Sequence, residues 1–214
     1  MISPQVIATA VTATNRDAHA LSRAESVLCA ATLSTAVILW LWPSLARAAG
    51  TAEVAASALC LMAFLLLAAV TPVLASVDFA VHRLPNAIVL PVFCGAAVLF
   101  CAASVVSGQS ESLIRSLIGC ATLSVFYLLL VLIQPGGMGF GDVKLSAVLG
   151  LYLGWAGWGP LLLGGLSAFV LGGLVGLVML ALRHGSWTTA IPFGPWMLAG
   201  AWLGIAVGHP AMVA

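Results

Sequence analysis

The sequence predicts an all-α fold, a polytopic transmembrane helical bundle of about six or seven spans, on three observations. Hydrophobic residues make up 63% of the 214 and charged residues only 6%, where a soluble domain carries about 25% charged. Apolar runs near the length that crosses a bilayer recur along the chain. The runs are continuous, unlike the alternating ten-residue segments of a lipid-embedded barrel. The formal net charge of +1 gives no case for a nucleic-acid partner. The lipid bilayer is the partner that composition implies.

Residues 1–25 are weakly polar, with Arg16, Asp17, His19, Arg23 and Glu25, and read as a cytoplasmic tail ahead of a single membrane-embedded domain, 26–214. The first span is 27–42. Arg23, this run and Ala46-Arg47-Ala48 also resemble a cleavable signal peptide, but the tail is long for one and retaining the span gives a consistent topology. Further spans follow at 54–77, 87–106, 113–133, 145–158, 160–182 and 191–207, separated by short loops. There is no long linker and no internal repeat.

Cytoplasmic loops hold the excess of Lys and Arg. Seven spans with the N-terminus inside place Arg16, Arg23, Arg83, Lys144 and Arg183 inside, and Arg47 and Arg115 outside. Asp78 and Asp142 then share the cytoplasmic side, and Trp155 and Trp158 fall at the outer interface, where tryptophan is favoured. The span 145–158 is short, about 21 Å as a helix against about 30 Å of hydrocarbon, which draws Asp142 below the headgroups.

The glycine-rich stretch Gly136-Gly137-Met138-Gly139-Phe140-Gly141-Asp142 lies between two apolar runs. Its glycines permit backbone conformations closed to other residues and leave room for a second backbone. An acid at the mouth of a helix behind such a loop is placed to work on an extended peptide. The ordinary alternative is a glycine turn closed by an aspartate N-cap. Asp17, Glu25, Glu53 and Glu111 sit in tail or turn positions and read as solvated, whereas Asp78 and Asp142 each join an apolar helix to a cytoplasmic loop. Acids at membrane depth are costly and face a cavity or a partner. Two carboxylates at one site share a proton, because like charges in contact resist double ionisation. One can then act as general base on water while the other polarises a carbonyl. Helix capping, or pairing with Arg83 and Lys144, is the competing account of the same residues.

Three blocks resemble the prepilin peptidases, the type IV leader peptidase family of GxGD membrane aspartyl proteases. Gly139-Phe140-Gly141-Asp142 matches the signature, followed by Val143-Lys144-Leu145. Asp78 with Leu84-Pro85-Asn86 resembles the first aspartate motif, and Ile191-Pro192-Phe193-Gly194-Pro195 resembles a third block. GxGD alone is shared with presenilin-like proteases; the three blocks in order are specific. The resemblance implies Asp78 and Asp142 as catalytic residues, with Gly139, Gly141, Lys144, Pro85 and Asn86 as supporting motif. It implies an aspartic endopeptidase that removes the basic leader of a type IV pilin or pseudopilin precursor at the cytoplasmic face of the inner membrane, without metal or other cofactor. Members that also methylate the new N-terminus carry a large cytoplasmic domain with paired CxxC motifs. This sequence has neither, so cleavage alone is expected. A proton- or cation-coupled transporter using the same acids, and a non-enzymatic assembly factor, remain as other readings.

Cys29, Cys60, Cys94, Cys101 and Cys120 lie in apolar runs without CxxC spacing and read as buried packing residues. His82 reads as a polar loop residue, and His184 and His209 as incidental. Lys144 could steady an aspartate or snorkel to the interface, and Arg83 could bind lipid headgroups, the favoured reading, or orient Asp78. Pro85 and Asn86 shape the entry to the third span, while Pro192 and Pro195 bracket Gly194 in a structural loop.

Overall fold

A computed structural model describes residues 25–39, 41, 46, 50–81, 84–133, 139–181 and 193–208. These form helices α1 (Glu25–Leu39), α2 (Thr51–Val81), α3 (Asn86–Ser107), α4 (Glu111–Ile133), α5 (Phe140–Ala156), α6 (Trp158–Ala181) and α7 (Gly194–Val207). The described residues contain no strand. Four stretches, Thr51–Phe79, Asn86–Ser107, Glu111–Ile133 and Trp158–Leu177, are long and apolar enough to cross a membrane, which makes this a multi-pass membrane protein. The other three predicted spans correspond to shorter helices. The tail residues 1–24, the loop residues Gly136, Gly137 and Met138, and His82, Arg83, Arg183, His184, Ile191, Pro192 and His209 lie outside the described residues.

Burial differs from helix to helix, and α2 buries one face. The buried positions of α2 include Ala56, Cys60, Ala63, Phe64, Leu67, Ala68, Thr71, Leu74 and Asp78, with Ser57 and Pro72 beside them, and they recur at three and four as one helical stripe requires. Asp78 thus enters the core because it follows Leu74 by one turn. On α5, Asp142, Leu145 and Ser146 open with the same spacing, but every residue from Val148 to Ala156 is buried, so the rest of this helix is enclosed on all sides.

Lipid tails are as apolar as leucine, so helices in a bilayer associate through close packing rather than burial from water. Small residues provide that closeness. A Cβ at Gly119 of α4 would stand 2.6 Å from the Gly150 carbonyl oxygen, and one at Gly154 2.6 Å from the Arg115 carbonyl oxygen. A Cβ at Gly150 would run into the Gly119 carbonyl. The α6–α7 seam repeats the device, with Gly200 against Ala168 and Gly204 against Gly164. Between the seams, Phe64, Phe100 and Tyr152 meet edge-on, with ring centroids 5.3–6.0 Å apart. The Tyr152 hydroxyl donates to the Ala63 carbonyl at 2.8 Å.

Two expectations are corrected here. Trp155 faces the bundle interior rather than an open interface: it is 3% exposed and stacks on Phe100 with ring centroids 4.5 Å apart, because α5 is enclosed on all sides from Val148 to Ala156. Trp158, 53% exposed, is accessible. Of the cysteines only Cys60 is buried; Cys29, Cys94 and Cys101 are exposed and Cys120 is intermediate, since a membrane helix can turn apolar thiols to lipid without cost.

Helix bounds shift for local reasons. The fifth helix begins at Phe140, not 145, because the Asp142 carboxylate satisfies the Gly139 N–H at its start. It ends at Ala156 because Gly157 takes φ 141°.

Candidate active site

The up-and-down order of the helices brings the C-terminal end of α2 and the N-terminal ends of α3, α5 and α7 to one end of the bundle. Asp78, Leu84, Gly139, Phe140, Gly141, Asp142 and Lys144 line one cavity there, of about 370 Å³. Asp78 and Asp142 are 4% and 7% exposed, so both carboxylates are buried and both border the same space.

They are held by different means. Asp142 occupies the third position of α5, where its Oδ2 accepts a hydrogen bond from the Gly139 N–H at 3.3 Å, while its own N–H donates to the Gly139 carbonyl at 3.1 Å. It is therefore not the N-cap of the ordinary alternative reading; Gly139 is. Asp78 Oδ2 accepts from the Gly194 N–H at 3.0 Å, across 116 residues of sequence. Asp142 stands in the first turn of α5, ahead of the apolar run and outside the four candidate spans. Burial, and then the neighbouring Asp78 charge, push its carboxyl up to about 6, with the Gly139 N–H acting against them.

The glycines of the signature act through space rather than through unusual dihedrals. Gly139 has φ −85° and ψ 153°, extended backbone open to any residue. Gly141 lies within the helix, and a Cβ there would meet the Leu84 N and Cβ at 3.2 Å. The α2–α3 loop therefore rests on α5 at Gly141, which brings the two acid-bearing segments together. Among the described glycines only Gly108 and Gly157 take positive φ.

Pro85 caps α3 with an extended backbone, φ −70° and ψ 129°. Asn86 follows, and its Oδ1 accepts from Lys144 Nζ at 2.7 Å. This tie between α3 and α5 was not foreseen from the sequence, which assigned Lys144 to an aspartate or to the interface. A second, largely apolar cavity of about 340 Å³ lies beyond it, lined by Asn86, Val89, Leu90, Phe93, Lys144 and Ala147. Gly194, read from the sequence as a loop residue, is the first residue of α7 and touches Asp78. Among the described residues no group of three His, Cys, Asp or Glu side chains could hold a metal ion.

The chain is 36% identical over 137 residues to the prepilin leader peptidase/N-methyltransferase of Pseudomonas putida, covering 63% of this chain and 46% of that protein. It is 32% identical over 148 residues to the protein of that name from Aeromonas hydrophila, covering 69% and 50%. A third, from Pseudomonas aeruginosa, is 37% identical over 99 residues, covering 46% and 33%. The chain thus spans at most about half the length of these curated relatives. No solved structure matches it. Residues 59–181, more than half of the chain and both acid-bearing segments, match the type IV leader peptidase family, and the chain belongs to that family.

Proposed function

We propose that this protein is an aspartic endopeptidase, with Asp78 and Asp142 as its catalytic pair, that cleaves the basic leader from type IV prepilins or pilin-like precursors. The observation that carries the reading is the shared cavity: two buried carboxylates from helices distant in sequence border one space. Family membership supplies the substrate class, since the named relatives are prepilin leader peptidases.

In the proposed reaction the pair holds one proton. The ionised carboxylate takes a proton from water as the water oxygen bonds to the scissile carbonyl carbon. The protonated carboxyl gives its proton to the carbonyl oxygen, producing a neutral gem-diol. Collapse moves the first proton from the base to the departing amine, and a gem-diol hydroxyl returns its proton to the acid. The C–N bond breaks, and the pair regains its single shared proton. General acid–base assistance of this kind is worth roughly 10²–10⁴-fold per group. The raised titration of Asp142 supports a proton resident in the pair.

The cytoplasmic face of the inner membrane is the proposed location of the cut. Lys and Arg placement along the sequence supports it: Arg16, Arg23, Arg83, Lys144 and Arg183 fall in the segments assigned to the side of Asp78 and Asp142, against Arg47 and Arg115 on the other.

The test is co-expression of Asp78→Asn and Asp142→Asn, separately, with a prepilin, followed by N-terminal sequencing of the pilin. Each variant should insert and accumulate yet leave the precursor uncut. Normal processing by either would remove the dyad. Ion-coupled uptake surviving in a cleavage-dead variant would favour a transporter.

A further inference from the structure

The two carboxylates are not equivalent, and the difference lies in the third sequence block. Gly194 opens α7, a 14-residue helix whose N-cap, Phe193, supplies no side-chain cap. The first N–H groups of a helix have no partner within it and carry its positive end. One of them, the Gly194 N–H, is answered from another helix by Asp78 Oδ2 at 3.0 Å. A side chain at 194 cannot coexist with this contact: its Cβ would lie 2.7 Å from Asp78 Oδ2 and 3.1 Å from Cγ. Asp142 has a weaker hold, a 3.3 Å bond from Gly139 within its own turn, and nothing comparable excludes a side chain at 139, where the nearest atoms are 3.8 and 3.9 Å away. Phe193 is fixed in turn by Tyr127 and Phe169, at centroid distances of 6.0 and 5.4 Å.

We infer that Gly194 is a positioning residue that holds Asp78 as the ionised member of the pair, so that Asp78 is the general base and Asp142 carries the shared proton. A charged acceptor gains most from an amide donor at a helix start. Among the described residues the ionisable groups bordering the same cavity are Asp142 and Lys144, both on α5; α7 brings none. The inference rests on the peptidase reading and assigns roles within it.

The test uses the full chain in nanodiscs with a synthetic prepilin. Gly194→Ala should lower kcat about 100-fold, as a displaced catalytic group does, with KM within about threefold. The acid limb of the kcat profile should move upward by about one pH unit. Glycolic acid in place of Gly194, introduced by cell-free translation, removes the N–H and adds no atoms. It should cost about tenfold in kcat, the value of one hydrogen bond to a charged group, with the same shift of the acid limb. It decides the matter even if the alanine variant fails to accumulate. Wild-type kcat and an unmoved acid limb in the ester variant would overturn the assignment. The two Asp→Asn variants judge the dyad itself, so a failed dyad and a failed role for Gly194 give different results.

Discussion

Arg115, half-buried, and the buried Asp78–Asp142 pair are ionisable groups at opposite ends of the same bundle. The Arg115 side chain is 12% exposed, and its polar atoms are answered by oxygens around it. Nε donates to the Gly154 carbonyl at 2.7 Å, and Nη2 to the Trp155 carbonyl at 3.0 Å and to Ser112 Oγ at 3.3 Å. Nη1 is 4.0 Å from Glu111 Oε1. Those carbonyls belong to the C-terminal turn of α5, where a cation also complements the helix dipole. The arginine therefore closes a helix, and the pocket beside its partners Ser112 and Trp155 holds only about 10 Å³. At the other end the acids border a cavity large enough for several waters or a stretch of peptide backbone. A buried charge enclosed by its partners serves structure, while buried charges aimed into open space can serve chemistry.

Substitution can break this contrast. The largest effect should be at the acids: Asp78→Asn or Asp142→Asn should reduce prepilin cleavage by about 10²–10⁴-fold, measured on purified protein, with little loss of folded material. Next is the seam that holds α5 in place. Gly150→Leu inserts a side chain where not even a methyl fits and should cost about 3 kcal/mol, read as lost accumulation and a lowered melting temperature in detergent. Arg115→Met should cost about 2 kcal/mol by leaving the α5 carbonyls unanswered, while per-molecule cleavage stays within about twofold. A large loss of kcat in Arg115→Met would dissolve the distinction between the two ends.

The pH response sharpens it. Asp142 binds its proton more tightly in the fold than at its ordinary value of 3.8. Between that value and about 6 the folded state holds more protons than the unfolded one, so stability contributed by this group falls as pH rises through the window. Melting temperature should drop by a few degrees between pH 5 and 7 in the wild type and stay flatter in Asp142→Asn. Cleavage should decline on the alkaline side of the same window as the shared proton is lost. The smallest change in stability is expected at Lys144→Met. The exposed tie to Asn86 is worth about 1 kcal/mol or less, and cleavage should fall less than tenfold.

The residues that turned out to meet at the cavity were legible to different degrees. Asp142 and Asp78 stand out because charge is rare in this sequence, and the spacing after Leu74 already puts Asp78 on the buried stripe of α2. The Lys144–Asn86 bond was not legible: the two are 58 residues apart, and a lysine beside an aspartate invites the wrong pairing. Gly194 was missed because a glycine between prolines reads as a turn, and only the approach of α2 shows what its N–H meets. The small residues at four-residue spacing, Gly150 and Gly154, and Gly200 and Gly204, were a usable signal of helix seams that the span-by-span reading passed over.

The sequence by itself determined the solvent, the helical class and the scarcity of charge, because each follows from composition and from the lengths of apolar runs. It also marked which acids needed a reason to be where they are. Which oxygen meets which amide, that Trp155 turns inward while Arg115 caps a helix, and that α7 begins against Asp78 were decided only by tertiary structure. Hydrogen bonds and close contacts depend on sub-ångström placement of segments distant in the chain, and no local pattern encodes that placement.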